Sequence, residues 1–164
     1  MEVILNEAEQ KIAKFIGKLR KNNAEGQGYK STPYGRNIDI IEAESVAAEM
    51  AFCKLANLYP DLSPGEKDND ADATTYYGKT VDVKQTPYQD GHLLVKPVKK
   101  IGDVDYYVLM IGEMPTFRFA GFVSEHDIIK PGKIKQTGYT NSYSMDQEEL
   151  EKDLNKLLAE KGGG

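Results

Sequence analysis

Residues 80–86 are the stretch that decides the fold, and they read Thr80-Val81-Asp82-Val83-Lys84-Gln85-Thr86. This stretch is typical of a strand, on which side chains two residues apart point to the same face. We therefore expect Asp82 and Lys84 to share one face, while Val81 and Val83 point into a core. A carboxylate beside an ammonium is by default a surface ion pair, so the pair indicates a site only if further acidic residues join it.

Two helices precede this strand in the predicted order of elements. Residues 3–22 carry apolar side chains at helical spacing and predict an amphipathic helix. Residues 23–37 are rich in glycine and predict an irregular connection. A second helix is predicted from Ile38 to Leu58, because prolines follow it closely and end it. The acidic stretch from Gly65 to Asp72 is predicted as a loop.

Three further strands are predicted after residue 86. Leu93–Val95 follows the first strand across a turn at Pro87–Gly91. Tyr106–Ile111 is continuously apolar, as expected of a central strand covered on both faces. Thr116–Val123 alternates in character. This alternation predicts one face with Phe117, Phe119 and Val123 and another with Arg118 and Ala120.

The C-terminal part is predicted as a loop over residues 130–144 and a helix over Met145–Glu160, capped by Ser144 or Asp146. The order helix, helix, strands, helix indicates an α/β or α+β fold with one mixed central sheet flanked by helices. The length of 164 residues suits a single domain. We place that domain at residues 1–160 and expect residues 161–164 to be a disordered tail.

The composition indicates where in the cell the protein is expected. Hydrophobic residues make up 40% of the chain and charged residues 29%, as in ordinary globular proteins. The longest apolar run is too short to cross a bilayer, and the first residues lack the pattern of a signal peptide. The single cysteine, Cys53, excludes an internal disulfide and a multi-cysteine zinc site. We therefore expect a cytoplasmic protein with no membrane partner.

The charge is unevenly distributed along the chain. The net charge of −5 argues against a protein that coats nucleic acid. Residues 79–135 reverse the sign, with an excess of bases over acids. This region contains lysines that could line a phosphate-tracking surface or could simply be solvated: Lys96, Lys99, Lys100, Lys130, Lys133 and Lys135.

Two more carboxylates are candidates to join Asp82 and Lys84. Asp72 lies ten residues before Asp82, in a loop that leads toward the same sheet edge. Glu49 lies on the second predicted helix, among Val46, Met50 and Cys53. If that helix packs on the sheet, Glu49 is buried and needs a partner, for which a divalent cation is one candidate.

Such a set of residues suits phosphodiester hydrolysis. Mg²⁺ takes hard oxygen ligands and keeps several waters, and it polarises a phosphoryl oxygen while lowering the pKa of an attacking water. A lysine beside that water can orient it and offset the negative charge of the transition state.

At this point the sequence resembles the PD-(D/E)xK nucleases, in which a helix acid, a loop acid and a strand acid-x-Lys form one site. It is most similar to a group of phage-encoded proteins with nearly the same layout. The resemblance covers about residues 1–125 and is carried by Asn37–Ala43, Ala48–Tyr59, Val81–Thr86, Asp90–Val95 and Phe117–Val123.

The resemblance implies a restriction-endonuclease-like core and a Mg²⁺- or Mn²⁺-dependent deoxyribonuclease in the host cytoplasm. Asp72, Asp82 and the Val83 carbonyl would hold the metal. Glu49 would bind a second metal or a water on it, and Lys84 would be the catalytic lysine. Ala71 stands where the motif has a proline, which leaves Asp68 and Asp70 as rivals of Asp72. Proteins of this group often replace the lysine, and its presence here favours an active enzyme.

DNA is the expected partner, and a homodimer is left open. The candidate nucleic-acid contacts are Arg118, Lys96, Lys99 and Lys100, although Arg118 could instead pair with a core group. His92 and His126 are expected at the surface, and most tyrosines are expected in the sheet rather than stacked on bases. The alternative function is an inactive nuclease-like module that binds DNA or protein in phage replication, packaging or host takeover.

Overall fold

The computed structural model describes residues 1–26, 38–64, 71–137 and 140–161. Within them the α-helices are α1 (Glu7–Gly26), α2 (Ile38–Ala56), α3 (Glu125–Ile128) and α4 (Leu154–Ala159). The strands are β1 (Glu2–Ile4), β2 (Ala73–Thr74), β3 (Thr80–Thr86), β4 (Leu93–Val95), β5 (Tyr106–Glu113), β6 (Thr116–Ser124), β7 (Ile134–Thr137) and β8 (Thr140–Met145). The predicted α+β class is confirmed in these terms: a mixed sheet with helices packed against it.

The strands form two sheets, whereas the sequence predicted one. The main sheet has five strands in the order β1-β6-β5-β3-β2, and the second has three in the order β4-β8-β7. β3 runs parallel to β5, with Asp82 beside Tyr107 and Lys84 beside Leu109. Parallel neighbours need a long crossover. β4 lies in that crossover and pairs with β8 instead of β3, so Pro87–Gly91 does not close a hairpin.

The main sheet lies between two hydrophobic clusters. One cluster joins α1 and α2 to the sheet face that carries Val81 and Val83. The other joins the opposite face, including Tyr107 and Leu109, to residues of the second sheet such as Leu93. Because paired side chains of parallel strands share a face, Asp82 and Lys84 belong to the side covered by the second sheet.

The first helix begins later and ends later than predicted. Residues 2–4 form β1, which pairs with β6, and α1 begins at Glu7. Asn6 and Glu9 exchange hydrogen bonds between side chain and backbone, Asn6 N–H to Glu9 Oε1 (2.8 Å) and Glu9 N–H to Asn6 Oδ1 (2.9 Å). This reciprocal cap fixes the start of the helix. Of the connection predicted at residues 23–37, residues 23–26 are helical and residues 27–37 lie outside the described part.

A bulge in β6 alters the predicted alternation. Leu109 pairs with Gly121 and Met110 with Phe119, so the register shifts between them. Phe117 and Phe119 do share the face toward the helices. Val123 falls with Ala120 on the opposite face, because the extra residue moves every later side chain of β6 to the other side.

The C-terminal region differs most from its prediction. Residues 134–137 and 140–145 form β7 and β8 rather than a loop. The predicted helix over residues 145–160 is divided into a 3₁₀ turn at Gln147–Glu149, capped by Asp146, and the short α4, capped by Asp153. Between them Glu151 exchanges backbone hydrogen bonds with Phe122, both 2.9 Å, and this strand-like contact interrupts the helix.

Gly121 makes this contact possible. Its φ of +146° is one that other residues rarely adopt. A Cβ atom there would meet Leu150 Cβ at 2.6 Å and Glu151 O at 2.9 Å. Lys161 is exposed, and the rest of the expected tail, residues 162–164, lies outside the described residues. In the described part of the chain no helix has the length and apolar character to cross a membrane.

Candidate functional site

Asp82 and Lys84 lie side by side on β3, as predicted. Lys84 Nζ is 3.0 Å from Asp82 Oδ1 and 3.1 Å from Asp82 Oδ2, and 6.0 Å from the centre of the Tyr107 ring. The side chain of Asp82 is 6% exposed and that of Lys84 is 31% exposed. The ammonium group therefore touches a buried carboxylate on one side and can meet a ligand on the other.

Asp72 reaches the same strand from the edge of the main sheet. It lies directly before β2, and its N–H donates to the Val81 carbonyl (2.8 Å). Its buried carboxylate accepts a hydrogen bond at Oδ2 from the Val83 N–H (2.8 Å). Three of the four predicted side chains thus gather on β3, and we call them the Asp72–Asp82–Lys84 group. The Val83 N–H makes this contact, and the role of the Val83 carbonyl as a metal ligand stays a prediction.

In this group two carboxylates lie close together, so their negative charges repel each other. Burial raises the pKa of Asp82 to about 6, and the neighbouring Asp72 carboxylate also raises it. The ammonium groups of Lys84 and Lys99 act in the opposite direction. Near neutral pH the group therefore holds a buried negative charge whose repulsion a proton or a cation would relieve.

Glu49 is buried on α2, as its apolar neighbours predicted, and its partner is Arg20 of α1. Arg20 NH1 donates to both Glu49 oxygens, at 2.9 and 3.2 Å. The same guanidinium donates to the carbonyls of Ser63 (3.1 Å) and Asp61 (2.8 Å). Arg20 thus joins the two helices to the segment that follows α2.

Arg20 was missed in the sequence, although a signal for it was present. It lies four residues after Ile16 and seven after Ala13, both buried on α1. A cation on the buried stripe of a helix requires an anionic partner. Glu49 is the buried acid of the facing helix, so the two could have been paired.

The described residues contain no group of three or more His, Cys, Asp or Glu side chains that could hold a metal ion. In this arrangement Glu49, Asp72 and Asp82 are therefore not such a group. Asp68 and Asp70, the rivals of Asp72, lie outside the described residues. The metal site stays a prediction.

Two clefts adjoin the Asp72–Asp82–Lys84 group. One, of about 660 Å³, is lined by residues 58–63 and 71–76 and includes Asp72. The other, of about 480 Å³, is lined by residues 84–88 and includes Lys84, together with Ile41, Gly91, His92, Leu94 and Leu109. A ligand can therefore approach the group through either cleft, on the Asp72 side or on the Lys84 side.

Four of the lysines that could line a phosphate-tracking surface interact with carboxylates. Lys99 lies near the site, because it acts on Asp82, whereas Lys96 acts on Glu42 of α2. Burial raises the pKa of Glu42, and Arg20 and Lys96 oppose that rise. Lys130 and Lys133 instead form surface ion pairs, with Asp127 (3.4 Å) and Glu149 (2.9 Å).

Arg118 makes structural hydrogen bonds. Its NH2 donates to the Gln89 carbonyl (3.3 Å) and to Gln147 Oε1 (3.2 Å). Gln147 Nε2 in turn donates to the carbonyls of Gln89 (2.8 Å) and Gly91 (2.9 Å). These bonds hold the turn that follows β3.

The expectation that most tyrosines belong to the sheet is wrong for several of them. Tyr106 and Tyr107 are buried in β5, whereas Tyr59, Tyr76, Tyr77 and Tyr88 are exposed outside the strands. His92 is at the surface, as expected, with its Nδ1 2.8 Å from Asp146 Oδ1.

Compared with known proteins, the chain matches no protein-family model, no curated protein and no solved structure. The relation to the PD-(D/E)xK nucleases stays a resemblance of residues.

Proposed function

We propose that this protein is a Mg²⁺- or Mn²⁺-dependent nuclease with a restriction-endonuclease-like core, acting on phosphodiester bonds of DNA. One observation carries the proposal. Two buried carboxylates lie close together, Asp82 on β3 and Asp72 beside it, and a partly exposed lysine, Lys84, contacts Asp82. One cleft beside this group is lined by Asp72 and another by Lys84.

The donor set suits a hard cation. Mg²⁺ in phosphoryl-transfer sites is held by one or two carboxylates, while waters and substrate oxygens complete its shell. Asp72 and Asp82 are the residues that would hold it. When bound, such an ion supplies Lewis-acid polarisation of the phosphoryl oxygen and a more acidic water.

The protein's own residues have distinct parts in this proposal. The Asp72 carboxylate accepts a hydrogen bond from the Val83 N–H. This hydrogen bond fixes the orientation of the carboxylate at the edge of the strand. Lys84 offsets negative charge as it develops on the phosphate, since its ammonium is the basic group in direct contact with Asp82. Lys96 and Lys99 contribute positive potential that attracts the nucleic-acid backbone.

A second candidate function is a DNA- or protein-binding module without catalysis. The pairing of Glu49 with Arg20 favours it, because Glu49 is then occupied by a guanidinium rather than held ready at the two aspartates.

A cleavage survey separates the two candidates. Purified protein is incubated with duplex, single-stranded and branched DNA and with RNA, each with Mg²⁺, Mn²⁺ or EDTA. The nuclease proposal expects cleavage of at least one DNA form with either metal, and none in EDTA. The binding-module candidate expects DNA binding that leaves every strand intact.

A further inference from the structure

The cleft on the Lys84 side has the character of a small ligand pocket. Its lining is largely hydrocarbon and includes Ile41, Pro87, Tyr88 and Leu94, and Lys84 brings a positive charge to it. Apolar walls with one or two well-placed polar groups are typical of sites for small flat molecules or parts of molecules. We call this space the Tyr88 cleft.

Tyr88 is 64% exposed, yet several hydrogen bonds hold the turn that carries it. The Gly91 N–H donates to the Tyr88 carbonyl (3.0 Å), which closes the turn. A Cβ at Gly91 would meet Thr86 Cγ2 at 2.5 Å, so the turn lies tightly against the end of β3. The side chains of Arg118 and Gln147 bind the carbonyls of Gln89 and Gly91 from the other side.

An exposed aromatic ring on a fixed turn is arranged for stacking. A preorganised ring loses little conformational entropy when a ligand covers it. Aromatic side chains stack on nucleobases of any sequence, and the contribution is about 1–3 kcal/mol per base when measured by alanine substitution. The positive charge of Lys84 at the same cleft suits a ligand that joins a flat ring to an anion.

We propose that the Tyr88 cleft receives one nucleobase of the strand whose phosphate lies at the Asp72–Asp82–Lys84 group. This inference rests on the proposed nuclease function and adds the substrate class. A base stacked and paired inside a duplex cannot enter a side cleft unless it is unstacked. The preferred substrate is therefore single-stranded DNA or an unpaired nucleotide at a junction, flap or end.

The experiment compares a labelled oligothymidylate with an abasic strand of the same length, which keeps the phosphates and lacks the bases. Binding is measured by fluorescence anisotropy in EDTA, so cleavage plays no part. The wild-type protein should bind the oligothymidylate about tenfold more tightly than the abasic strand, because one base stacks on Tyr88. Tyr88→Ala should remove this preference, and Tyr88→Phe should retain it.

Tyr77→Ala is the matched control. Tyr77 is also an exposed tyrosine, at 49%, and it does not line the Tyr88 cleft. The control should keep the wild-type preference for bases. A duplex of the same sequence should bind Tyr88→Ala and wild-type protein equally.

The outcomes separate this inference from the function on which it rests. Equal wild-type affinity for the two strands, or no measurable binding of either, overturns the base site even if the protein cleaves DNA. A base preference lost in Tyr77→Ala and kept in Tyr88→Ala also overturns it. A base preference lost in Tyr88→Ala, in a protein that cleaves nothing, supports the base site while rejecting the nuclease.

Discussion

Replacing Asp82 by asparagine should stabilise the protein at neutral pH in the absence of metal ions. The carboxylate is buried beside Asp72, and burial raises its pKa from the usual 3.8 to about 6. The folded protein therefore holds the Asp82 proton more tightly than the unfolded chain does. The resulting stability is fully present below about pH 4 and is lost as the pH rises through about 6.

The size of the effect follows from the pKa. A rise from 3.8 to about 6 corresponds to about 3 kcal/mol, at about 1.4 kcal/mol for each tenfold change in proton affinity. Because the attraction of Lys84 already contributes to this pKa, its loss in Asp82→Asn needs no separate correction. We expect Asp82→Asn to be more stable than wild type by up to about 3 kcal/mol at pH 7.5, and nearly equal to it at pH 4.

Urea unfolding in EDTA, followed by circular dichroism at both pH values, measures this difference. Asp90→Asn is the control, since Asp90 is exposed and its replacement should change the free energy of unfolding by less than about 0.5 kcal/mol. If Asp82→Asn is less stable than wild type at pH 7.5, the ionised carboxylate is stabilised by its partners and the reasoning from burial is wrong.

Two further expectations concern the metal and the Glu49 pair. Mn²⁺ or Mg²⁺ should raise the melting temperature of the wild type, because a cation that binds only the folded state stabilises it. This rise, measured by differential scanning fluorimetry, should vanish in Asp82→Asn. Equal rises in the two proteins would show that the metal binds elsewhere. Arg20→Ala should lower the free energy of unfolding by about 3–5 kcal/mol, since it leaves Glu49 buried without its guanidinium. Lys11→Ala breaks an exposed pair with Glu7 and should cost less than about 1 kcal/mol; similar losses in both variants would contradict this account of Glu49.

The site residues on β3 could be predicted because a strand has a simple period. Alternation of Val81, Asp82, Val83 and Lys84 is sufficient to place two polar side chains on one face, and the structure has them there. The burial of Glu49 followed in the same way from its helical neighbours. Its partner did not, because Arg20 lies 29 residues earlier and the pairing depends on how α1 packs against α2.

The second sheet was missed for a different reason. The core-facing side chains of β8 are Tyr143 and Met145, which pack with Leu93, and the residues before and between them are small and polar. Small polar residues give no hydrophobic alternation, so the stretch reads as a loop. The helix predicted over residues 145–160 failed because Leu150 packs on one core and Leu154 on the other. The periodicity of the sequence does not show that apolar residues close together in the chain pack into different hydrophobic clusters.

The Lys84 side chain is 31% exposed, and replacing a lysine at the surface usually changes stability by less than about 0.5 kcal/mol. The contact of Lys84 with the buried Asp82 changes that expectation. Loss of the ammonium leaves a buried carboxylate without its nearest cation, so Lys84→Ala should be less stable than wild type at pH 7.5. Rates must therefore be compared at a temperature where circular dichroism shows both proteins to be folded.

The rate of metal-dependent DNA cleavage by wild type and by folded Lys84→Ala tests the central claim most directly. With protein in excess and saturating Mg²⁺ or Mn²⁺, the wild type should cleave, and Lys84→Ala should be slower by about 10²–10³-fold through lost transition-state stabilisation. Cleavage by Lys84→Ala at the wild-type rate would contradict the assignment of Lys84. Intact DNA after incubation with folded, metal-loaded wild type would contradict the nuclease itself.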